Sequence, residues 1–242
     1  MRSRLRTLSC ALLAAPTLAL AQAASAPQPA AEPVRQLVVY VMPYYSAGDT
    51  FAAAPKVAVD PQFDALLAST NAADIRKARD AIAARPDLVA PETMMVLAIR
   101  LYDVGLRDDA VFWFYAGRDR FLTMEAVLDM RSLRLTRIAD VMESFIGAIG
   151  APMDGYALCD VARHQDREDR AIAWVAAHPY KALGDSDLPA LSEDRNAALA
   201  DAVNKLREMS AHNRDLLANP ALLAQLADAR RKTQADARFC WK

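Results

Sequence analysis

From about residue 63 onward the apolar positions recur mostly at three- and four-residue steps, the period that lines one face of a helix. The clearest instance is Met94–Arg120, MMVLAIRLYDVGLRDDAVFWFYAGRDR. Met94, Leu97, Ala98, Leu101 and Val104 form the stripe of a first helix. Gly105 then supplies the positive φ that closes a helix C-terminus without a Cβ clash. Asp108 and Asp109 sit where a second helix begins, favourable against its positive N-terminal dipole. From Ala110 to Tyr115 that helix is apolar almost all round, which predicts burial on more than one side.

The same reading extends over the rest of the chain. Asp60-Pro61 opens a short helix over Phe63–Leu67, and Asn71 or Asp74 opens another that carries Ile75, Ala78, Ala81 and Ile82 and stops before Pro86. A long helix is expected over about Met124–Ile149, ended by Gly150, Ala151 and Pro152. A second hairpin follows, its charged turn being the run His164–Arg170 (HQDREDR). His178-Pro179 breaks the chain. Ser192 is the expected N-cap of a long helix with Leu199, Val203, Leu206, Met209, Leu216 and Leu217 as its seam. Asn219-Pro220 stops that helix and starts a last one, which ends in Arg230, Arg231 and Lys232 and pairs with its predecessor as an antiparallel hairpin. Leu37–Met42 is the one convincing strand candidate, β-branched and ending at Pro43, and Lys56–Val59 is a second extended piece.

The fold expected is therefore all-α, helix hairpins in a solenoid-like or bundle arrangement, with a short extended N-terminal arm over residues 37–60. Residues 61–242 form one helical domain: 61–150 hold the first hairpin and the long helix, 151–242 the second hairpin and the C-terminal helix pair. The arm is expected to pack on the helices; the alternative is an exposed edge or aromatic patch that takes a partner strand.

The first 21 residues read as a secretory signal peptide, with Arg2, Arg4 and Arg6 before the apolar run Leu8–Leu20 and an Ala19-Leu20-Ala21 cleavage site. Cys10 sits near the start of that run, which does not suit a lipoprotein. Residues 22–36 follow as an Ala/Pro-rich disordered leader. No stretch reaches the 18 apolar residues of a membrane span. Removing the three arginines leaves 26 basic against 30 acidic residues, a net charge of −4, which gives no general pull toward nucleic acid. The mature chain keeps Cys159 and Cys240, and in an oxidising compartment an even pair predicts a disulfide.

The central hairpin resembles the tetratricopeptide pattern Trp-x2-Leu-Gly-x2-Tyr, then Ala-x3-Phe. Met94 stands in for the Trp, Leu97 matches, Ala98 replaces the Gly and Leu101 the Tyr, and Ala110 and Phe114 match the second-helix pair. The closing Pro is absent, Leu122 falling near its place. Leu158, Cys159, Ala162, Ala171 and Val175 repeat the same spacing 61 residues on, which is not one 34-residue repeat. The resemblance implies a helical surface on which a protein partner binds. The segment Leu101–Gly117 also resembles a set of uncharacterised exported bacterial proteins, which implies no activity.

Candidate chemistry is sparse. His164, His178 and His212 lack ligand spacing to one another, and His164 with Asp166 and Glu168 reads as a solvated turn before it reads as a metal cluster. There is no H-E-x-x-H, G-x-S-x-G, Walker loop or G-x-G-x-x-G. No catalytic residue, metal or cofactor is expected. If the aromatic run forms a groove rather than core, the binding residues are Tyr102, Trp113, Tyr115 and Arg118. The function expected is a non-enzymatic periplasmic binding or scaffolding protein whose partner is another exported or envelope protein. The alternatives are an inhibitor or immunity protein against a secreted toxin, and an enzyme with a carboxylate site in a helical cleft.

Overall fold

The computed structural model describes residues 30–50 and 52–241. The expected signal peptide and residues 22–29 of the expected leader lie outside the described residues. The helices are α1 (Asp64–Leu67), α2 (Ala72–Ala83), α3 (Pro91–Asp103), α4 (Arg107–Val127), α5 (Thr136–Ala157), α6 (Val161–Ala177), α7 (Arg195–Ala218), α8 (Pro220–Lys232) and α9 (Ala235–Phe239). A three-stranded antiparallel sheet precedes them: β1 (Tyr40–Val41), β2 (Tyr45–Ser46) and β3 (Lys56–Val57), in the order β1-β2-β3.

The predicted hairpin, α3–α4, is the centre of the molecule. Pro91 occupies the first turn of α3, where its missing N–H costs nothing. Gly105 has φ +82°, and the hydrogen bonds Leu106 N to Leu101 O (2.8 Å) and Gly105 N to Tyr102 O (3.0 Å) complete a Schellman closure. Nearly every residue of α3 is buried, so the helix is enclosed rather than amphipathic. Helix α4 packs against α3, α5, α6 and α7. Such many-sided packing defines a bundle, since each unit of a solenoid meets only its neighbours.

Three arginines in this hairpin are buried, and each donates to backbone carbonyls of other elements. Arg100 reaches Leu67 O and Ser69 O at the end of α1. Arg107 reaches Phe239 O and Trp241 O at the end of α9. Arg120 reaches Val89 O ahead of α3 and His178 O at the end of α6, its guanidinium lying 4.7 Å from the Trp174 ring. Helix ends leave carbonyls without intrahelical donors, and these side chains satisfy them.

Several boundaries differ from the sequence reading. The long helix expected over Met124–Ile149 is two helices: α4 ends at Val127, and α5 begins at Thr136. Leu128 turns extended because it bridges to Ala190, with Asp129 N donating to Pro189 O and Leu191 N to Val127 O. Helix α5 then runs through Gly150–Pro152 to Ala157. Pro152 removes one hydrogen bond there, and the burial of Ile149, Met153 and Ala157 on either side outweighs it. Gly155 lies under the Phe239 ring, whose nearest atom would be 2.5 Å from a Cβ. The N-cap of α7 is Asp194, accepting from Ala197 N, not Ser192, and α1 starts at Asp64. Asn71 and Asn219 cap α2 and α8 as expected, with Pro220 in the first turn of α8. The predicted seam of α7 holds at Val203 and Leu206, but Met209 and Leu216 are exposed, and α8 buries no residue.

The strand expected over Leu37–Met42 pairs at Tyr40 and Val41, and Tyr45 and Ser46 pair with it. Burial alternates along the arm, Leu37, Val39 and Val41 facing the helices. Asp103 anchors it: one carboxylate oxygen accepts from Leu37 N at 2.8 Å, and the other pairs with Arg100 at 2.6 Å.

The predicted disulfide is present, Cys159 to Cys240, with Cα atoms 5.6 Å apart and a sequence separation of 81. It ties the C-terminal segment to the junction of α5 and α6. For a loop of this length, removing the cross-link costs about 4–5 kcal/mol in the chain-entropy limit. Denaturant unfolding of the Cys159→Ser/Cys240→Ser double variant should show a stability lower by up to that amount. Equal midpoints for variant and wild type would refute the stabilising role.

Burial pushes the Asp103 carboxyl up to about 7, against the opposing pull of Leu37 N and Arg100. A carboxyl raised in the folded state adds stability that is full below its unfolded pKa and is lost as pH rises through the folded value. Asp103→Asn should therefore gain stability relative to wild type between pH 4 and about 7. The melting-temperature difference, variant minus wild type, should rise over that window; a flat or falling difference would show a carboxylate held charged throughout.

Candidate binding surfaces and the polar seam between α4 and α6

Of the residues singled out in the sequence as a binding groove, Tyr102, Trp113 and Tyr115 are core and Arg118 is partly exposed. Trp113 and Tyr115 are buried because α4 has a neighbour on every side and an aromatic run along it meets protein in each direction, and Tyr102 is buried in the enclosed helix α3. Tyr102 OH donates to Val34 O at 3.1 Å and so helps to fix the arm. Trp113 makes edge-on contacts with Phe112 and Trp174, ring centroids 5.4 Å apart in both cases. Arg118 lies 4.8 Å above the Tyr115 ring and pairs with Asp119 at 2.9 Å and with Glu168 at 3.7 Å.

The run His164–Arg170, expected as a charged turn, is helical and lies in the body of α6. Asp160 caps that helix by accepting from Arg163 N, so the chain turns at Leu158–Asp160 instead. The two sets of residues with matching spacing consequently occupy different elements. Leu97, Ala98 and Leu101 are in α3, whereas Leu158 and Cys159 lie in the turn and Ala162, Ala171 and Val175 are all in α6.

Placing HQDREDR on a helix sorts it into two faces. The inward face carries His164 and Glu168 into a polar seam against α4 and α5, and the buried Arg167 lies between the two faces, reaching Asp108. Tyr115 OH sits 3.0 Å from Asp154 Oδ1 and 3.1 Å from His164 Nδ1. Burial holds the His164 ring below the ordinary histidine range and pushes the Tyr115 hydroxyl up. Asp119 is pushed up to about 6 by burial, against the pull of Arg118. Asp119 and Glu168 are 0% and 5% exposed, which seals both carboxylates from a substrate in this conformation. No cluster of three or more His, Cys, Asp or Glu side chains able to hold a metal occurs among the described residues.

The outward face borders a surface cleft of about 330 Å³. Asp108, Asp109 and Phe112 of α4 form one wall, and Arg163, Asp166, Arg167 and Arg170 of α6 the other. Asp108 accepts from Arg167 and, at 2.8 Å, from Tyr156 OH. Arg170 stands 5.5 Å over the Phe112 ring. The sequence reading missed Arg163, Arg167 and Arg170 as a group. Their spacing of four and three residues was the signal, visible once the run is treated as helix.

A second surface feature lies on the arm. Val38, Tyr40 and Met42 alternate with the buried residues and are 68%, 60% and 67% exposed. Tyr40 projects from β1, an edge strand of the sheet, and Val38 and Met42 flank that strand in the chain. The register aligns Tyr40 with Ser46, and Ser46 with Lys56, across the same outer face.

Because Tyr115 is a core residue, Tyr115→Ala should act on stability, at about 3–5 kcal/mol by analogy with other large-to-small core changes. Urea unfolding checks this; a variant as stable as wild type would return Tyr115 to the list of binding residues.

The chain is similar to an uncharacterized protein of Haemophilus influenzae, 32% identical over 210 residues that cover 87% of this chain and 81% of that protein. No family model matches the chain, and no solved structure matches it. At that identity and coverage, the chain belongs to the same family as the Haemophilus influenzae protein.

Proposed function

We propose that this is an exported, non-enzymatic binding protein that docks an extended segment of a second envelope protein on the β1 edge of its sheet. The observation that carries this reading is the exposed row Val38, Tyr40 and Met42 on an edge strand and its flanks. An edge strand offers unpaired backbone groups to an incoming chain, and large apolar side chains at alternate positions add contact area and set its register. The strand itself is fixed from behind by Asp103 and Tyr102, so docking orders little that is not already ordered. Partner side chains apolar at every second position would meet the row.

Export is supported by the Cys159–Cys240 disulfide, since such cross-links form and persist in oxidising compartments. No helix among the described residues is long and apolar enough to cross a membrane. The resemblance of the central hairpin to tetratricopeptide units agrees with a scaffold built from packed helix pairs.

The test is capture of envelope proteins by the mature chain, comparing wild type with Tyr40→Asp and with Arg170→Ala in the separate cleft. A charge at Tyr40 opposes apolar docking and leaves the core untouched. The expected result is a partner retained by wild type and Arg170→Ala and lost, by at least about tenfold in affinity, from Tyr40→Asp. Equal capture by Tyr40→Asp would overturn the assignment of this edge.

A further inference from the structure

A cavity of about 280 Å³ lies where the C-terminal segment crosses the starts of α4 and α6, and its chemistry is one-sided. Its walls include Arg107, Tyr156, Asp160, Arg163, Arg167 and Trp241, with the Cys159–Cys240 disulfide closing one side. Arg107 and Arg167 are 9% and 6% exposed. Arg107 spends both terminal nitrogens on Phe239 O and Trp241 O, and its Nε has no hydrogen-bond partner among the described residues. Arg167 gives one terminal nitrogen to Asp108; the other, Nη1, is likewise buried without a partner among the described residues. The indole Nε1 of Trp241 is a third buried donor in the same condition. These groups are close: the Arg107 guanidinium lies 3.9 Å from the Trp241 ring and 4.6 Å from the Tyr156 ring, and that of Arg167 lies 5.7 Å from Tyr156.

Buried donors without acceptors are costly, and three around one small cavity call for an acceptor of matching size. The charge has the same sign. Among the described residues, three arginines line the cavity against one carboxylate, Asp160, which is already engaged as the α6 cap and 3.4 Å from Arg163. Asp108 is held by Arg167 and Tyr156, Asp236 is held by Arg230, and Arg35 adds a cation 4.5 Å from the Trp241 ring. Helix α4 also starts here, and its N-cap, Leu106, offers no side-chain acceptor.

We propose that this cavity binds a small oxyanion, a carboxylate or phosphate group, held by Arg107 Nε, Arg167 Nη1 and Trp241 Nε1 with Arg163 at the mouth. The volume is enough for an anionic head together with part of the ligand that carries it. The disulfide brings Trp241 to the site, so ligand and cross-link hold the same C-terminal segment in place.

Inorganic phosphate and acetate, titrated separately at constant ionic strength against chloride, are the probes, read by calorimetry and by melting temperature. Trp241→Phe keeps an aromatic face for Arg107 and Arg35 and deletes the one N–H. Arg163→Ala removes an exposed charge that holds no core contact. Saturable binding of either probe to wild type, with a dissociation constant of about 1 mM or tighter, should weaken about tenfold in Arg163→Ala and several-fold in Trp241→Phe. The Arg170→Ala variant, altered in the neighbouring cleft, should bind as wild type does. Failure of both probes to saturate below about 10 mM, or equal binding by Trp241→Phe and Arg163→Ala with wild-type melting curves, would overturn the proposal.

Discussion

Guanidinium groups buried in the central hairpin hold the molecule's layers in register. Arg100, Arg107 and Arg120 each leave α3 or α4 and end on main-chain carbonyls at the close of another element: α1, α9 and α6 respectively. A helix C-terminus packed into protein has carbonyls that water cannot reach, so a donor must come from a side chain. Arginine suits this because its planar fork supplies several donors at fixed angles and it stays protonated when buried. Burial lowers Arg120 to about 10, which leaves it charged at neutral pH, and the faces of Trp174 and Tyr180 stand against the cation. Each such residue sets both the end point of a neighbouring helix and its distance from the hairpin.

This arrangement separates the polar interior from the surfaces that can recognise a ligand. Within the seam between α4 and α6, Arg118 offsets Asp119 and Glu168, and Tyr115 joins Asp154 to His164. Asp119 and Glu168 are buried there, while Arg118 and His164 are partly exposed and Asp154 lies at the surface, so the network runs from the core to the rim of the seam. Within the seam Asp119 Oδ2 and Glu168 Oε2 are buried without a hydrogen-bond partner among the described residues. The β1 edge shows alternating apolar side chains, and the cavity beneath the C-terminal segment collects donors without acceptors. Both features lie where chain ends are fastened to the hairpin, the arm by Asp103 and the tail by Arg107 and the disulfide.

Sequence reasoning was reliable where a single residue type has one local use. Gly105, Asn71, Asn219-Pro220 and His178-Pro179 each act within a turn of their own position, and their caps and breaks stand where expected. It failed where a distant segment changed the local balance. Pro152 reads as a stop, yet the packing of its neighbours carries α5 through it. Leu128–Leu135 reads as helix, yet pairing with residues 189–191 draws it out. HQDREDR reads as a solvated turn because six of its seven residues are charged or histidine; Arg118, Asp108 and Tyr115 supply partners that make it a buried helix face.

By itself the sequence determined the helical class, the position and closure of the central hairpin, and the cysteine pair available for a cross-link. Periodicity and capping act over three or four residues and can be read directly. Which aromatic residues became core, which arginines turned inward, and which donors met at one cavity were decided by tertiary structure alone. The reason is physical: a side chain's burial and its hydrogen-bond partners depend on elements tens of residues away. Arg107 meets a carbonyl 134 residues further along the chain, and nothing near it in sequence announces the contact.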